Sequence, residues 1–415
     1  MKNKILVHIC CGVDAVWGLR KLKMDFPEAE IKGFFYDPNI HPEEEYELRW
    51  IETLRICKNL GIECIKGDYD PDRWIEITKG LEDEPERGKR CNVCHDLRLE
   101  KTALMAKKID FDSFTTVLLM SPKKDFDTLK NIGEMIGKKY GLEFLAVEFR
   151  KKGGIEKMNS LSKEYQIYHQ NYCGCIYALF QQRKDKKYVP ELVSFGKGRP
   201  AGSREELIFI KKLRLFCEDL GLKVYEERFK FIGWRLIRSV LMVNKEPIHH
   251  NVLPYSSSLK GILRARPEQV LYEENKKILK LNKGNIQIWI TENPEALSLK
   301  EPKVFTDPVF VIDRGIPDGD DVKFEIQLET EFVPDAISTN LTIGEPEAES
   351  FIELFSDTLP QGNLGYSFEQ IRDIILMERD KILSGEVSVL IYGAEHYGRL
   401  GRRYYKKREK SLKKL

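Results

Sequence analysis

Six cysteines fall in three short pairs, Cys10 with Cys11, Cys91 with Cys94, and Cys173 with Cys175, set far apart along the chain. A fold that brings the three pairs together builds one thiolate-lined pocket, and such a pocket holds metal. In a reducing compartment closely spaced cysteines are more often metal-binding or catalytic than disulfide-bonded. The chain opens MKNKILVHICCGVDAVWG, where Asp14 interrupts a short apolar run and no small-residue cleavage site follows. A signal peptide is therefore not expected. No later segment reaches the apolar length of a membrane span, so the expectation is a cytoplasmic protein with no membrane partner.

The other three cysteines have a plainer account. Cys57 continues a helical apolar stripe with Trp50, Ile51 and Leu54, Cys64 shares a strand face with Ile62, and Cys217 follows Leu213 and Phe216 on another helix. In such places free cysteine packs as a small hydrophobe. At 415 residues the chain exceeds what one core usually serves, and 42% hydrophobic with 32% charged residues is an ordinary globular balance. The net charge of +2 dictates no partner, but from Arg399 to Leu415 nine Lys or Arg stand against the single Glu409.

The first part alternates strands and helices. Strands are expected at Lys4 to Ile9, Ile31 to Tyr36, Ile62 to Lys66, Phe114 to Leu119 and Phe144 to Phe149. Helices are expected at Val13 to Met24, Pro42 to Leu60, Asp70 to Lys79, Val93 to Lys108 and Phe126 to Tyr140. This order predicts an α/β fold, a Rossmann-like parallel sheet with helices on both faces, spanning residues 1–188. In such sheets ligands bind beyond the carboxyl ends of the strands. Cys10-Cys11, the segment Tyr36 to His41, and Ser121-Pro122 all follow strands and share that rim.

Residues 189–415 read as an α+β domain. It has a helix near Glu205 to Leu220, β-like runs at Lys223 to Val243, Ile286 to Thr291, Val309 to Ile312 and Val322 to Leu328, and helices near Glu347 to Leu359 and Phe368 to Leu383. Tyr255 to Gly261 has the look of a loop capping a short helix.

Cys-x-x-Cys with Cys-x-Cys would alone suit tetrahedral zinc. Adjacent Cys10-Cys11 argues otherwise, because neighbouring side chains at a strand end diverge. Six thiolates plus the Asp14 carboxylate exceed the four ligands that one zinc ion or one iron–sulfur cluster takes. A cluster with a second metal beside it would use the surplus.

These residues also carry a resemblance. His8-Ile9-Cys10-Cys11, Phe35 through Tyr46 (FYDPNIHPEEEY), Gly67-Asp68-Tyr69-Asp70-Pro71, Gly88-Lys89-Arg90-Cys91 through Cys94, Ser121-Pro122-Lys123-Lys124-Asp125 and Gln170 through Cys175 (QNYCGC) resemble, in order over residues 4–183, the QueH-type epoxyqueuosine reductases. Residues 190–415 carry no such likeness. The resemblance implies a PP-loop-related Rossmann-like fold, a [4Fe-4S] cluster with an adjacent mononuclear iron and no cobalamin, and conversion of epoxyqueuosine in tRNA to queuosine. Many members continue the double cysteine as Cys-Cys-x-x-Cys, and Asp14 stands where that third cysteine would fall. A carboxylate suits an iron ion better than a cluster edge, which makes Asp14 a candidate ligand to the iron; the alternative is a helix N-cap. Cys91, Cys94, Cys173 and Cys175 then lean toward the cluster and Cys11 toward the iron, with Cys10 open to either.

Removing an epoxide oxygen to leave an alkene takes two electrons and two protons. The electrons imply an external donor of ferredoxin or flavodoxin type. Tyr36, His41 and Tyr172 are candidate proton donors on the rim, while His8, inside the first strand, reads as a core group. Lys89, Arg90, Ser121, Lys123 and Lys124 are candidate tRNA-binding residues, and the terminal run interleaves Tyr397, Tyr404 and Tyr405 with basic residues that suit phosphates and bases. Two rival readings remain. One is an ATP-dependent PP-loop tRNA thiolation enzyme, although cysteines stand where its phosphate loop needs serine and glycine. The other is a zinc-stabilised RNA-binding module with no activity of its own.

Overall fold

A computed structural model describes residues 4–183, 199, 202–253, 255, 257, 259, 261–273, 275–292, 305–313, 315–316, 322–356 and 365–392. They divide into two compact units, Met1–Val193 and Ser194–Leu415. Among the described residues no helix is long and apolar enough to cross a membrane.

The first unit is built on β1 (Lys4–Ile9), whose residues after Lys4 are all buried, as the central strand of a parallel sheet requires. There follow α1 (Gly12–Asp25), β2 (Glu30–Phe35), α2 (Glu43–Asn59), β3 (Glu63–Lys66), α3 (Pro71–Ile77), α4 (Lys89–Lys108), β4 (Ser113–Thr116), α5 (Phe126–Tyr140), β5 (Glu143–Phe144), α6 (Gly154–Glu164) and α7 (Ile176–Gln182). Every pairing is parallel, in the order β3-β2-β1-β4-β5. Helices α1 and α2 pack together, as do α4 and α5, and right-handed crossovers place the two pairs on opposite faces. Ile9 lies opposite Phe35 and His8 opposite Thr116, so β1, β2 and β4 finish together. The chain leaves β1 toward β2 on one side and returns to β4 on the other. That reversal is where a sheet of this class opens a crevice.

The expected strand through Leu119 stops at Thr116, and Val117–Met120 form a 3-10 turn. The Thr116 hydroxyl accepts from the Leu118 amide (3.1 Å) and draws the backbone off the ladder. The expected strand from Phe144 to Phe149 shrinks to Glu143–Phe144. Beyond it, Val147 N bonds Leu145 O and Phe149 N bonds Val147 O, both at 3.0 Å, tight local turns that replace cross-strand pairing. Helix α4 begins at Lys89 rather than Val93, which brings Cys91 onto it beside Cys94. Helices α6 and α7 were not anticipated.

The second unit contains α8 (Arg204–Asp219), β6 (Val224–Val243), β7 (Glu246–Pro247), β8 (Asn251–Leu253), β9 (Ile262–Ala265), β10 (Pro267–Glu273), β11 (Lys276–Leu281), β12 (Gln287–Ile290), β13 (Val309–Ile312), β14 (Phe324–Ile343), β15 (Ser350–Phe355), α9 (Phe368–Met377), α10 (Arg379–Ser384) and β16 (Val387–Tyr392). Two sheets, ordered β10-β11-β12-β13-β8 and β15-β16-β14-β6-β7 with β9 beside β14, share a core around Leu279, Ile288, Phe310, Phe324 and Ile326. The unit is richer in sheet than the α+β expectation. Residues expected as a helix from Glu347 form β15, which pairs in parallel with β16; that pairing outweighs the helix-forming tendency of the glutamates. Glu378 interrupts the last expected helix and yields α9 and α10. The segment at 255–261 leads into β9 and not into a helix, with Ser256, Ser258 and Lys260 outside the described residues. The basic tail from Arg399 and its Tyr397, Tyr404 and Tyr405 also lie outside them.

Candidate metal centre

Each cysteine pair of the first unit sits at the start of a helix. Cys11 is the N-cap of α1, with Cys10 just before it at the end of β1. Cys91 and Cys94 occupy the opening turns of α4, three residues apart on one face. Cys175 is the N-cap of α7. Exposed amides and the positive end of a helix favour thiolate over thiol. Cys10, Cys91, Cys94, Cys173 and Cys175 line one cavity of about 300 Å³, together with Asp14. Cys11 is buried beside it, and the ligand atoms of Cys10, Cys11 and Asp14 lie within 4.8 Å of one another. Cys10 Sγ is 3.9 Å from Cys11 Sγ and 3.8 Å from Asp14 Oδ2, so the two neighbouring thiols converge, contrary to the expected divergence, because the chain turns from β1 into α1 between them.

The Cys-Gly-Cys turn is fastened to the loop after β2. Cys175 forms a bridge with Ile40, and His41 N donates to Gly174 O at 2.8 Å. Arg49, buried on α2, donates to the carbonyls of Tyr172 and Cys173, each at 3.0 Å, and to Glu45 Oε1 at 2.8 Å. Gly174 has φ +107, a conformation that residues with a Cβ rarely adopt.

In two of the pairs one thiol is favoured as the thiolate and its neighbour is not: Cys11 and Cys173 are pulled down, while Cys10 and Cys175 are pushed up by the neighbouring sulfur and by burial. The hydrogen bond with Cys10 holds the Cys11 thiol down at about 6, helped by the Asp14 amide, the Arg49 charge and Gln170. The bond with Cys175 holds Cys173 at about 6, helped by the charge of Lys124. Burial pushes Cys94 up, opposed by the nearby Arg98 guanidinium. Burial, then the Cys11 charge, lifts Asp14 well above the usual carboxylate range. Backbone amides reach two sulfurs, Arg87 N to Cys91 Sγ at 3.2 Å and Cys175 N to Cys173 Sγ at 3.4 Å. Such bonds to sulfur tune iron–sulfur sites.

The remaining residues singled out from the sequence scatter. Tyr36 is buried away from the cavity lining, and its hydroxyl donates to Asp70 Oδ1 at 2.8 Å. His41 is outside the lining too, with Nδ1 2.9 Å from Asn39 O and its ring against Trp74. Tyr172 lines the cavity, but its hydroxyl donates to the His41 carbonyl. These three expected proton donors are thus turned to internal acceptors or stand off the cavity. Arg90 is 1% exposed and donates to the carbonyls of Leu81 (2.9 Å) and Glu82 (2.7 Å), so it clamps the preceding loop instead of presenting itself to a phosphate. Lys89 is exposed and outside the lining. Ser121, Lys123 and Lys124 line the cavity; Lys123 is exposed, whereas Lys124 is 12% exposed and 3.9 Å from Glu86 Oε1. His8 is a core group as expected from its strand position: Nδ1 is 2.8 Å from Thr116 Oγ1 and Nε2 3.2 Å from Tyr36 O. Cys57 and Cys217 are fully buried, and Cys64 is half-buried.

Several lining residues escaped the sequence reading. Cys91, Cys94, His95 and Arg98 form a continuous stripe on α4, visible in the sequence at i, i+3, i+4 and i+7 once the helix is begun at Lys89. Arg98 forms an ion pair with the wholly buried Asp37, and Asp37 lies 3.6 Å from His8 Nε2. Asn39, two residues on, also lines the cavity. Asp37 and Asn39 lie between Tyr36 and His41 in the loop after β2.

Four cysteines on one cavity fit the four-thiolate set of an iron–sulfur cluster, and the two thiols with a carboxylate beside them offer a separate, harder donor set. The cysteine cluster is compatible with an iron–sulfur cofactor. The family model described as epoxyqueuosine reductase QueH matches residues 5–181. An epoxyqueuosine reductase QueH from Helicobacter pylori is 37% identical over 266 residues, covering 61% of this chain and 72% of its own. One from Haemophilus influenzae is 39% identical over 183 residues, covering 44% of this chain and 74% of its own. Among solved structures, the U34-tRNA thiolase NcsA from Methanococcus maripaludis with its [4Fe-4S] cluster is similar at a TM-score of 0.28 and 12% identity, over 52% of this chain and 74% of that one. That overlap is too slight to bear on the site.

Proposed function

This chain belongs to the epoxyqueuosine reductase QueH family, and from that premise we propose that it is the oxidoreductase that converts epoxyqueuosine in tRNA to queuosine. The observation that carries the reading is the gathering of five paired cysteines and Asp14 on one cavity, with Cys11 directly behind it. The reaction takes up two electrons and two protons, breaks both carbon–oxygen bonds of the epoxide and releases water. Cys91, Cys94, Cys173 and Cys175 would hold a [4Fe-4S] cluster, and Cys10, Cys11 and Asp14 a single iron. When bound, these groups supply electrons one at a time, from an external donor of ferredoxin or flavodoxin type, and a Lewis acid for the departing oxygen.

The chain's own residues do the rest. Arg49 fixes the Cys173 carbonyl and so the Cys-Gly-Cys turn. Lys124, largely shielded from solvent, sets a positive charge near Asp14 and Cys173. Lys123, exposed on the lining, and Lys89, exposed two residues before Cys91, are suited to tRNA phosphates. Residues 189–415 serve as an accessory, tRNA-contacting part, with the basic tail as its phosphate-binding end.

The test is anaerobic purification with iron, acid-labile sulfide and turnover measured on the same samples. About five irons per chain with sulfide and conversion of epoxyqueuosine tRNA support the reading, whereas stoichiometric zinc without sulfide defeats it. Asp14→Ala is expected to retain the cluster's absorption, lose one iron and lose nearly all turnover. Asp14 is not the cap expected as its alternative role, since Cys11 holds that position and Asp14 lies in the first turn of α1; a carboxylate serving only the helix dipole there predicts intact iron and a stability loss of up to about 1 kcal/mol.

A further inference from the structure

Six lining residues, Asn39, Trp74, Arg90, His95, Arg98 and Gln170, have a buried polar atom without a hydrogen-bond partner among the described residues. Trp74 and Arg98 face the Cys94 thiol, Gln170 faces Cys11, and Arg90 is spent on the carbonyls of Leu81 and Glu82, which leaves Asn39 and His95. Asn39 Oδ1 and His95 Nδ1 are buried and without a hydrogen-bond partner among the described residues. Asn39 is 2% and His95 5% exposed, and both residues line the cavity that holds the cysteines. They come from separate elements, Asn39 from the loop after β2 and His95 from α4. A buried acceptor or ring nitrogen left unpaired costs about 1–3 kcal/mol, so such groups call for a partner, which a ligand or an ordered water supplies. The nearby sulfurs do not complete them, being poor hydrogen-bonding groups that are committed elsewhere: Cys91 accepts from Arg87 N, Cys173 from Cys175 N, and Cys10 faces Cys11 and Asp14.

We propose that Asn39 and His95 bind the two hydroxyls of the substrate's cyclopentane ring and so aim its epoxide at the cysteine-lined end of the cavity. This rests on the epoxyqueuosine reading and deepens it. A hydroxyl is both donor and acceptor, so one donates to the Asn39 carbonyl oxygen and the other meets whichever role the His95 tautomer leaves open. The cavity of about 300 Å³ is of the size of small-ligand sites, large enough for a five-membered ring and too small for a folded anticodon. The arrangement gives specificity at the modified ring, separate from the phosphate contacts that hold the rest of the tRNA. Both residues act in binding and orientation.

The experiment pairs Asn39→Ala and His95→Gln with tRNA substrates that lack one or the other ring hydroxyl, using the metal-loaded full chain under anaerobic conditions. Each variant is expected to keep the wild-type iron and sulfide content and salt dependence while kcat/KM falls about 3- to 10-fold, the loss of one neutral hydrogen bond. Each should then suffer no further loss with one of the two deoxy substrates, although the wild type loses a similar factor with both. Asn39→Ser, which keeps a shorter polar group, serves if the alanine variant does not fold. Losses that simply multiply with both deoxy substrates, unchanged kinetics, or a drop in iron overturn the assignment; the last would make the residue a metal ligand. If the wild type does not convert epoxyqueuosine at all, the reading of the reaction falls, and this assignment with it.

Discussion

The Asp37 carboxylate is wholly buried and is balanced by Arg98, with His8 3.6 Å away. Removing one partner of a buried pair leaves an uncompensated charge, so Asp37→Asn should cost about 3–5 kcal/mol, read as a lowered urea midpoint. Replacing Cys57 or Cys217 by Ala should cost only about 1 kcal/mol and leave iron and sulfide unchanged, since these cysteines are buried in hydrophobic cores and line no part of the cavity. Burial lowers the pKa of His8 from its ordinary 6.5 despite Asp37, and Arg98 adds to the effect. The unfolded chain therefore takes up that proton more readily than the folded one. Stability is full above about pH 6.5 and is lost as pH falls below it, at up to about 1.4 kcal/mol per pH unit from this group. Urea midpoints at pH 7.5 and 5.5 should differ more in the wild type than in His8→Asn; equal differences would acquit His8.

At the scale of elements, the Cys-Gly-Cys turn depends on its middle residue. A Cβ on Gly174 would lie 2.7 Å from Ile40 Cγ1 and 3.3 Å from Arg49 Nη1, on a backbone with φ +107. Gly174→Ala should therefore leave the fold's circular dichroism intact but deplete iron and sulfide, because the turn and its two cysteines must shift. Retention of both would show that the site tolerates the shift. The alternation of β1, α1, β2 and α2 was legible because each element shows its own hydrophobic period, and the double cysteine at the end of β1 marks the rim directly. What was not legible had local causes. Thr116 turns β4 into a 3-10 turn through one hydroxyl, and the early start of α4 hid that Cys91 shares a stripe with Cys94, His95 and Arg98. In the second unit β15 looks helical by itself and becomes a strand through its long-range partner β16.

For the whole molecule, every residue lining the cavity belongs to Met1–Val193; the family model ends at residue 181, while the Helicobacter pylori relative aligns over 61% of the chain and so reaches into the second unit. The piece 1–193 should hold the same iron and sulfide per chain as the full protein but turn over tRNA less efficiently. A piece devoid of metal would mean that the second unit is needed to complete the centre. Truncation after Arg399 should flatten the salt dependence of tRNA binding; an unchanged slope would remove the tail from the contact. The cavity draws its cysteines from position 10 at one end and position 175 at the other, and this spacing has a consequence for biosynthesis. During translation, β1 and its two thiols emerge long before the strand that will flank them and the last pair that will close the ring. A nascent chain therefore carries an incomplete donor set until nearly the whole first unit has left the ribosome. The proposed metals can therefore meet their full donor set only after Cys175 has emerged, and in iron-starved cells the chain should accumulate in a colourless form that takes up iron without new protein synthesis.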